Sequence, residues 1–225
     1  MKQIPLPIGA HGGEPEQNFG NFLPGANGAA IAHLASLPPA AAPVYLWGAA
    51  GTGKTHLLKA FVASLSSHGA RAGSFGAAHP LPWTHDADWA AVVIDDCDAL
   101  DPDQQQAAFA LFVEAATHGT AIVAAGRLPP VDLPLREDLR SRFGWGHVFA
   151  LQSLSEAETR SALRREADRR GVFLSDDVMG YLLTRFARDL KNLMRLLDRL
   201  DTFSLANKRA VSVPLLKQML AEEAE

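Results

Sequence analysis

The chain has 225 residues, 48% of them hydrophobic, which is enough to bury a complete α/β core and a small second unit. Its formal net charge of −4 and pI near 6.1 exclude a general attraction to nucleic acid, so we expect no direct sequence-specific DNA binding. No apolar run reaches the roughly 18 residues of a membrane span, no signal peptide begins the chain and Cys97 is a single cysteine, so we expect a cytoplasmic protein without membrane contacts.

Residues 1–17 are rich in Gly and Pro and have little periodicity, and they predict a flexible N-terminal arm. Residues 18–152 then alternate between short apolar runs and helix-spaced segments. The predicted strands lie near 44–47, 71–75, 89–96, 120–125 and 147–151, and the predicted helical segments near 27–37, 55–65, 102–118 and 136–142. The run at 89–94 is continuously apolar, as in a strand covered on both faces. This order predicts an open parallel α/β sheet with helices on both faces.

Residues 153–225 contain helical patterns and no predicted strand. Ser155 and Glu158 form a capping-box pattern that opens a helix ending at Gly171. Three further helices are predicted near 175–187, 189–205 and 214–221. We therefore expect an all-α lid domain at 153–225, following an α/β nucleotide-binding domain at 18–152.

Residues 48–55 read Gly-Ala-Ala-Gly-Thr-Gly-Lys-Thr and match G-x-x-x-x-G-K-[ST] between a strand and a helix. Glycines let backbone N–H groups surround a phosphate chain at the positive end of the helix. Lys54 would reach the β- and γ-phosphates, and the Thr55 hydroxyl would ligate Mg²⁺. A glycine-rich structural turn is the alternative interpretation. The motif predicts binding of ADP or ATP with Mg²⁺, through Gly48, Gly51, Thr52, Gly53, Lys54, Thr55 and His56.

Two acidic residues, Asp95 and Asp96, end the apolar strand that follows one βα unit later. On their own, two acids after a strand indicate a turn or a helix cap. Beside a phosphate loop, this position is typical of one carboxylate that binds the metal and one that orients a water molecule. We predict that Asp95 ligates Mg²⁺ and that Asp96 acts as a general base.

The run Ser141-Arg142-Phe143-Gly144-Trp145-Gly146 resembles the S-R-F-x-W-G run of the DnaA family of AAA+ ATPases. In the replication initiators of that family, the arginine acts as a finger that reaches the nucleotide of a neighbouring subunit. The resemblance implies this catalytic role for Arg142, as well as assembly into a homo-oligomer. An arginine on a solvated helix end is the alternative interpretation.

Two further segments resemble the family, and each carries a functional implication. Residues 19–22 are similar to its F-x-N-F entry to the nucleotide domain, which implies that Phe22 lies near the base. Residues 188–193 are similar to its lid helix, which implies that Lys191 faces the phosphates where the family usually has arginine. Gly126 stands where the family has a polar sensor residue. Both departures weaken the expectation of efficient hydrolysis and leave binding intact.

The arm contains a short segment, Gln3-Ile4-Pro5-Leu6-Pro7-Ile8, that resembles the sliding-clamp-binding peptide Q-L-x-L-P. Its prolines would keep the backbone extended and project apolar side chains into a pocket. An inert tail is the alternative. The resemblance implies a clamp contact through Gln3, Ile4, Leu6, Pro7 and Ile8.

Only residues 210–225 follow Arg209, which are too few for a helix-turn-helix module of the kind the initiators carry. The resemblance therefore implies a regulatory member of the family. We expect an adaptor with weak intrinsic hydrolysis that docks on the DNA-loaded sliding clamp, the polymerase beta subunit, and stimulates hydrolysis of DnaA-bound ATP. Its effect would be regulatory inactivation of DnaA and negative control of DNA replication. The alternative is an autonomous DnaA-like or helicase-loader-like ATPase acting on DNA.

Overall fold

A computed structural model describes residues 17–186 and 189–222 of the chain. Five strands form one sheet in the order β2-β3-β4-β1-β5, and all four neighbouring pairs are parallel. The strands are β1 Val44–Trp47, β2 Arg71–Gly76, β3 Trp89–Asp95, β4 Ala121–Gly126 and β5 His147–Ala150. This arrangement confirms the predicted parallel α/β sheet.

Four α-helices accompany the sheet: α1 Gly28–Ala35, α2 Lys54–Ser67, α3 Pro102–His118 and α4 Glu137–Gly144. Single 3-10 turns lie at Phe19–Asn21, Gly25–Asn27, Cys97–Ala99 and Pro130–Asp132. One apolar cluster joins the sheet to α3 and α4, and a second joins its other face to α1 and α2. The central strands are thus covered on both faces, which explains their continuous apolar sequence.

The remaining described residues form four helices, α5 Glu156–Arg169, α6 Asp176–Arg185, α7 Leu190–Asn207 and α8 Val213–Glu222. They enclose an apolar cluster of their own, built mainly from leucines such as Leu163, Leu182 and Leu197. The all-helical character expected after the sheet is therefore observed. Within the described ranges, no helix combines the length and the apolar character that crossing a membrane requires.

The helix signals in the sequence correspond to observed caps. Asp101 accepts a hydrogen bond from the Gln104 N–H at 2.8 Å, and Pro102 occupies the first turn of α3. Ser155 and Glu158 form the expected capping box at α5, and Gly171 takes a left-handed φ of +71° after that helix. One boundary differs: the third strand ends at Asp95, because Asp96 has a left-handed φ of +49°.

Asn27 fastens the entry segment to the chain that follows β5. Its Nδ2 donates to the Gln152 carbonyl at 2.9 Å, and its Oδ1 accepts from the Gln152 N–H at 2.8 Å. The side chain is buried, with 5% of its surface exposed. One amide group thereby satisfies both backbone groups of a residue 125 positions away.

We predict that Asn27→Ala lowers the free energy of unfolding by about 1–3 kcal/mol, because it leaves the Gln152 backbone groups without partners. Urea denaturation followed by circular dichroism measures the change. Ser36→Ala is the control, since the exposed Ser36 hydroxyl bonds only within its own helix end, and we expect a change within about 0.5 kcal/mol. Equal stability of Asn27→Ala and the wild type would contradict the bridging role.

Candidate functional site

The loop between β1 and α2 has the shape of an anion cradle. Gly51 and Gly53 have left-handed φ values of +81° and +94°, which side chains rarely tolerate. A methyl group on Gly53 would lie 2.5 Å from the Phe22 ring, and one on Gly48 would lie 2.5 Å from the Leu151 carbonyl oxygen. Glycine is therefore required at each position, and the backbone N–H groups lie at the start of α2, as phosphate binding requires.

Lys54 lies at the first position of α2 with 7% of its surface exposed. Its ammonium donates to the carbonyl oxygens of Gly48 at 2.7 Å and Ala49 at 2.9 Å. Burial lowers the pKa of this ammonium, while the carboxylates of Asp95, Asp96 and Asp98 act in the opposite direction. The Lys54 ammonium thus lies against the loop, where it could bind the phosphates of a nucleotide held there.

Thr55 and Asp95 lie together as a ready pair of oxygen ligands. The Thr55 hydroxyl donates to Asp95 Oδ2 at 2.6 Å. Hard oxygen ligands of this kind suit Mg²⁺, which usually takes one or two protein ligands and completes its shell with water and phosphate oxygens. No group of three or more His, Cys, Asp or Glu side chains in residues 17–186 and 189–222 could hold a metal. The pair fits a magnesium ion bound jointly with a nucleotide.

Asp96 lies directly after the strand, in the left-handed conformation. Its backbone N–H donates to Asp95 Oδ1 at 2.9 Å. Partial burial raises the pKa of this carboxyl group, and the charges of Asp95 and Asp98 raise it further. A raised pKa is the property expected of a proton acceptor in a cluster of acids.

Phe22 and His56 connect the entry segment to the phosphate loop. The Phe22 ring packs against Gly53 and makes an edge contact with the His56 ring, with centroids 5.1 Å apart. His56 Nε2 lies 3.1 Å from the Asn18 carbonyl oxygen and 2.9 Å from Asn21 Oδ1. Burial lowers the pKa of His56, although its bond to Asn18 opposes the shift. These contacts support the shape of the loop.

A cavity of about 370 Å³ lies beside this entry segment. It is formed between residues 23–25 and residues 154–165, which include most of α5, and its lining includes Leu23, Leu154, Ala157 and Arg165. Phe22 itself is buried against the loop. A planar base would therefore find more space in the cavity beside residues 23–25 than next to the Phe22 ring. Sequence reasoning alone gave no signal for this cavity.

The beginning of α7 lies against the tip of the phosphate loop. A methyl group on Gly51 would lie 3.1–3.2 Å from Asp189 side-chain atoms. Asp189 caps α7 by accepting from the Lys191 N–H at 3.0 Å, and the Lys191 side chain is exposed in the first turn. The fold thus brings the segment of Lys191 to the loop, while its contact with phosphate stays a prediction.

The sequence pattern indicated that Gly126 lacks the polar side chain of the family, but it did not predict which groups surround this glycine. Asp98 lies against Gly126 and binds Arg127 at 2.7 Å. Tyr45, from the middle of β1, directs its hydroxyl to the same place and donates to the Leu128 carbonyl at 3.1 Å. No linear motif marks these residues, because the register of β1, β3 and β4 brings them together.

Arg142 lies near the C-terminal end of α4, next to a phenylalanine that anchors that helix to the sheet. Phe143 is buried against Tyr45 and Phe112, with both ring centroids at 5.3 Å. This anchor leaves the Arg142 guanidinium half-buried over the Phe109 ring, 5.4 Å from its centroid. A groove of about 610 Å³ adjoins it, and Val131 and Trp145 line that groove with 76% of their surface exposed.

The phosphate loop and the end of the run that contains Arg142 are at opposite ends of β1. The loop follows Trp47, the last residue of the strand, whereas Val44 at its start pairs with His147 after the Arg142 run. The strand alone separates these ends by about 10 Å. The segment of residues 3–8, for which the sequence predicts a clamp contact, lies outside the described residues.

Comparison with known proteins gives two kinds of likeness. Residues 156–220 match the family model described as "Hda, lid domain". Domain III of the Thermotoga maritima replication initiation protein DnaA is 21% identical, with a TM-score of 0.76, and the match covers 93% of this chain and 97% of that one.

Two further solved structures extend this likeness. AMPPCP-bound DnaA from Aquifex aeolicus is 19% identical, with a TM-score of 0.66, and the match covers 82% of this chain and 65% of that one. The Thermotoga maritima RuvB Holliday junction branch migration motor is 17% identical, with a TM-score of 0.60, over 80% of this chain and 61% of that one. At these identities the structural likeness establishes the fold.

We predict that Asp96→Asn raises the melting temperature at pH 7 by about 1–2 °C, because it removes an ionised group from among Asp95 and Asp98. The folded chain holds a proton on Asp96 more tightly than the unfolded chain does. Ionised Asp96 therefore opposes folding, and the gain should shrink as the pH falls through the raised pKa. Calorimetry between pH 4 and 7 measures the difference.

Asp132→Asn, at an exposed acid outside this cluster, is the control and should change stability little at either pH. A lower melting temperature of Asp96→Asn at pH 7 would contradict the electrostatic account.

Proposed function

We propose, from the premise that the chain is a DnaA/Hda-like AAA+ protein, that it binds ADP or ATP with Mg²⁺ and stimulates hydrolysis of ATP bound to DnaA. One observation carries this proposal above the others. The phosphate loop and the end of the run that contains Arg142 lie at opposite ends of β1, which supports a role of Arg142 on a nucleotide held by another molecule.

The nucleotide half of the proposal rests on the fit of the loop and its neighbours. The cradle, Lys54, and the Thr55–Asp95 pair supply the donors and oxygen ligands that a phosphate chain and Mg²⁺ need. We place the base in the cavity beside residues 23–25. A DnaA relative of the same fold is AMPPCP-bound, which supports a nucleotide here.

The catalytic half rests on the surroundings of Arg142. Its guanidinium lies beside a groove with exposed Val131 and Trp145, which is the kind of surface that a protein partner covers. A planar guanidinium can neutralise charge that develops on a transferred phosphoryl group. Arg142 would therefore reach the nucleotide of DnaA across an interface centred on this groove.

Contact with a partner is favoured over action on DNA by the charges of the lid. Several lid arginines are already paired: Arg164 with Asp176, Arg169 with Glu166, and Arg170 with both Glu166 and Asp198. Pairing removes the unbalanced positive charge on which phosphate-backbone binding depends. This observation weighs against an autonomous ATPase or helicase loader acting on DNA.

The adaptor would be brought to its target by the arm. Residues 3–8 resemble a clamp-binding peptide, and docking on the DNA-loaded sliding clamp would raise the local concentration of the chain near newly replicated DNA. Conversion of the initiator to its ADP-bound form would then restrain further initiation. We propose a homo-oligomer in the cytoplasm as the working form.

We predict that Arg142→Ala abolishes stimulation of DnaA-bound ATP hydrolysis while nucleotide binding and clamp binding persist. A supplied arginine contributes about 10³–10⁵ in rate to comparable phosphoryl transfers, so the loss should be large. The assay mixes clamp-loaded DNA, ATP-bound DnaA and each variant, and follows the ATP-to-ADP ratio on DnaA. Arg142→Lys should recover little, because an ammonium lacks the planar fork.

The matched control is Arg136→Ala. Arg136 contacts the same Phe109 ring, at 5.9 Å, but lies at the opposite end of α4 and pairs with Asp138. Full stimulation by Arg142→Ala would refute the finger. Brisk ATP hydrolysis by the isolated wild type, stimulated by DNA, would favour the autonomous ATPase instead.

We predict that Gln3→Ala combined with Leu6→Ala abolishes co-elution with the sliding clamp. Burying one leucine side chain contributes about 1.5–3 kcal/mol, which is enough to govern a micromolar peptide complex. Glu14→Ala with Glu16→Ala is the control, because it alters the same arm outside the peptide. Retained co-elution of the Gln3 and Leu6 variant at an unchanged melting temperature would make the arm an inert tail.

A further inference from the structure

We propose that Arg127, positioned by Asp98, takes the place of the missing sensor side chain at Gly126 and distinguishes ATP from ADP by binding the terminal phosphate. This inference rests on the proposed nucleotide site. It concerns two residues that no motif in the sequence marks.

The register of the sheet places Arg127 at the phosphate loop. Gly126, the last residue of β4, pairs with Trp47, which immediately precedes Gly48. On the other side of β4, Ala124 pairs with Ile94, the residue before Asp95. Parallel strands bring their carboxyl ends to one edge, so Arg127 follows β4 between the phosphate loop and the metal-binding acids.

The space that a side chain at Gly126 would occupy is already filled. A methyl group there would collide with the Tyr45 hydroxyl and lie 3.1 Å from Asp98 Oδ1. Burial raises the pKa of the Tyr45 hydroxyl, which therefore stays protonated and donates to the Leu128 carbonyl. A carboxylate from the turn after β3 thus lies where the family presents a polar group from β4.

Asp98 fixes Arg127 through two bonds. Its Oδ1 accepts from the Arg127 backbone N–H at 2.8 Å, and its Oδ2 accepts from Arg127 Nε at 2.7 Å. Although burial raises the pKa of Asp98, the bonds from Arg127 lower it overall, so the carboxylate is ionised at neutral pH. Only 7% of the Asp98 side chain is exposed, compared with 64% of the Arg127 side chain.

These bonds use one edge of the guanidinium and leave the other available. Within the described ranges, the two terminal nitrogens of Arg127 have no hydrogen-bond partner. Two adjacent N–H groups in a planar fork match the oxygens of a phosphate group. Arg127 therefore combines a fixed backbone, a fixed Nε and an open end, as a phosphate ligand requires.

The charge of Arg127 also acts within the proposed site. It favours the ionised form of Asp96 and, together with burial, the neutral form of Lys54. ADP ends at the β-phosphate, which the loop and Lys54 would bind in the proposed site. The Arg127 guanidinium at the end of β4 would therefore add to the binding affinity mainly when a γ-phosphate is present.

The test compares the affinities of the purified protein for Mg²⁺-AMPPCP and Mg²⁺-ADP by isothermal titration calorimetry. Arg127→Ala should weaken AMPPCP binding by about tenfold or more, the usual effect of losing a charge-assisted bond, and change ADP binding by less than about twofold. Arg71→Ala is the matched control: Arg71 has 63% of its side chain exposed and pairs with Asp86 at 3.0 Å, but it begins β2 at the other edge of the sheet.

The positioning role of Asp98 has its own readout. Asp98→Asn should lower the ratio of AMPPCP to ADP affinity in the wild-type background and leave it unchanged in the Arg127→Ala background, since Asp98 acts only through Arg127. Equal changes in both backgrounds would overturn that role.

The failures of the two proposals are separable. Lys54→Ala should lose both nucleotides, and a wild type that binds neither would refute the nucleotide half of the proposed function. A wild type that binds both, with an unchanged affinity ratio in Arg127→Ala, would refute the role of Arg127 alone.

Discussion

The parallel pairing of β1 with β4 on one side and β5 on the other is the constraint on which the rest of the molecule depends. At its carboxyl end it sets the phosphate loop beside Gly126 and the acids after β3. At its amino end it joins the chain after the Arg142 run, so the proposed nucleotide site and the proposed arginine finger both depend on one short strand. Both therefore rely on the four buried or half-buried residues Val44–Trp47.

The carboxyl edge of the sheet concentrates like charges at a cost to folding. Asp95 and Asp98 lie close enough to raise the pKa of Asp96, and the charges of Lys54 and Arg127 act in the opposite direction. A fold selected for stability alone would disperse these acids. In the proposed function, a magnesium ion and a phosphate chain would bring charges that make use of these acids at the end of a buried strand.

Much of this architecture follows from local sequence. Continuous apolar runs identified the strands, and caps such as Asp101 and Ser155 gave the helix starts, because these signals act over a few residues. The loop at 48–55 was recognisable for the same reason. The Asp98–Arg127 pair and the burial of Phe22 against Gly53 were not, because those contacts depend on strand register and on the path of the entry segment. The predicted strand ended one residue too late, because Asp96 has a left-handed backbone conformation that the side-chain pattern does not indicate.

The contact between Gly51 and Asp189 ties the loop to the helical lid. A ligand that pushed the loop tip toward the lid would meet Asp189 at the start of α7, a helix whose buried leucines belong to the lid cluster. If binding of a nucleotide changed the affinity of the lid for a partner, thermodynamic reciprocity would require the partner to change the nucleotide affinity by the same factor. The close approach of Gly51 and Asp189 is thus a place where nucleotide binding and the binding of a partner to the lid would influence each other.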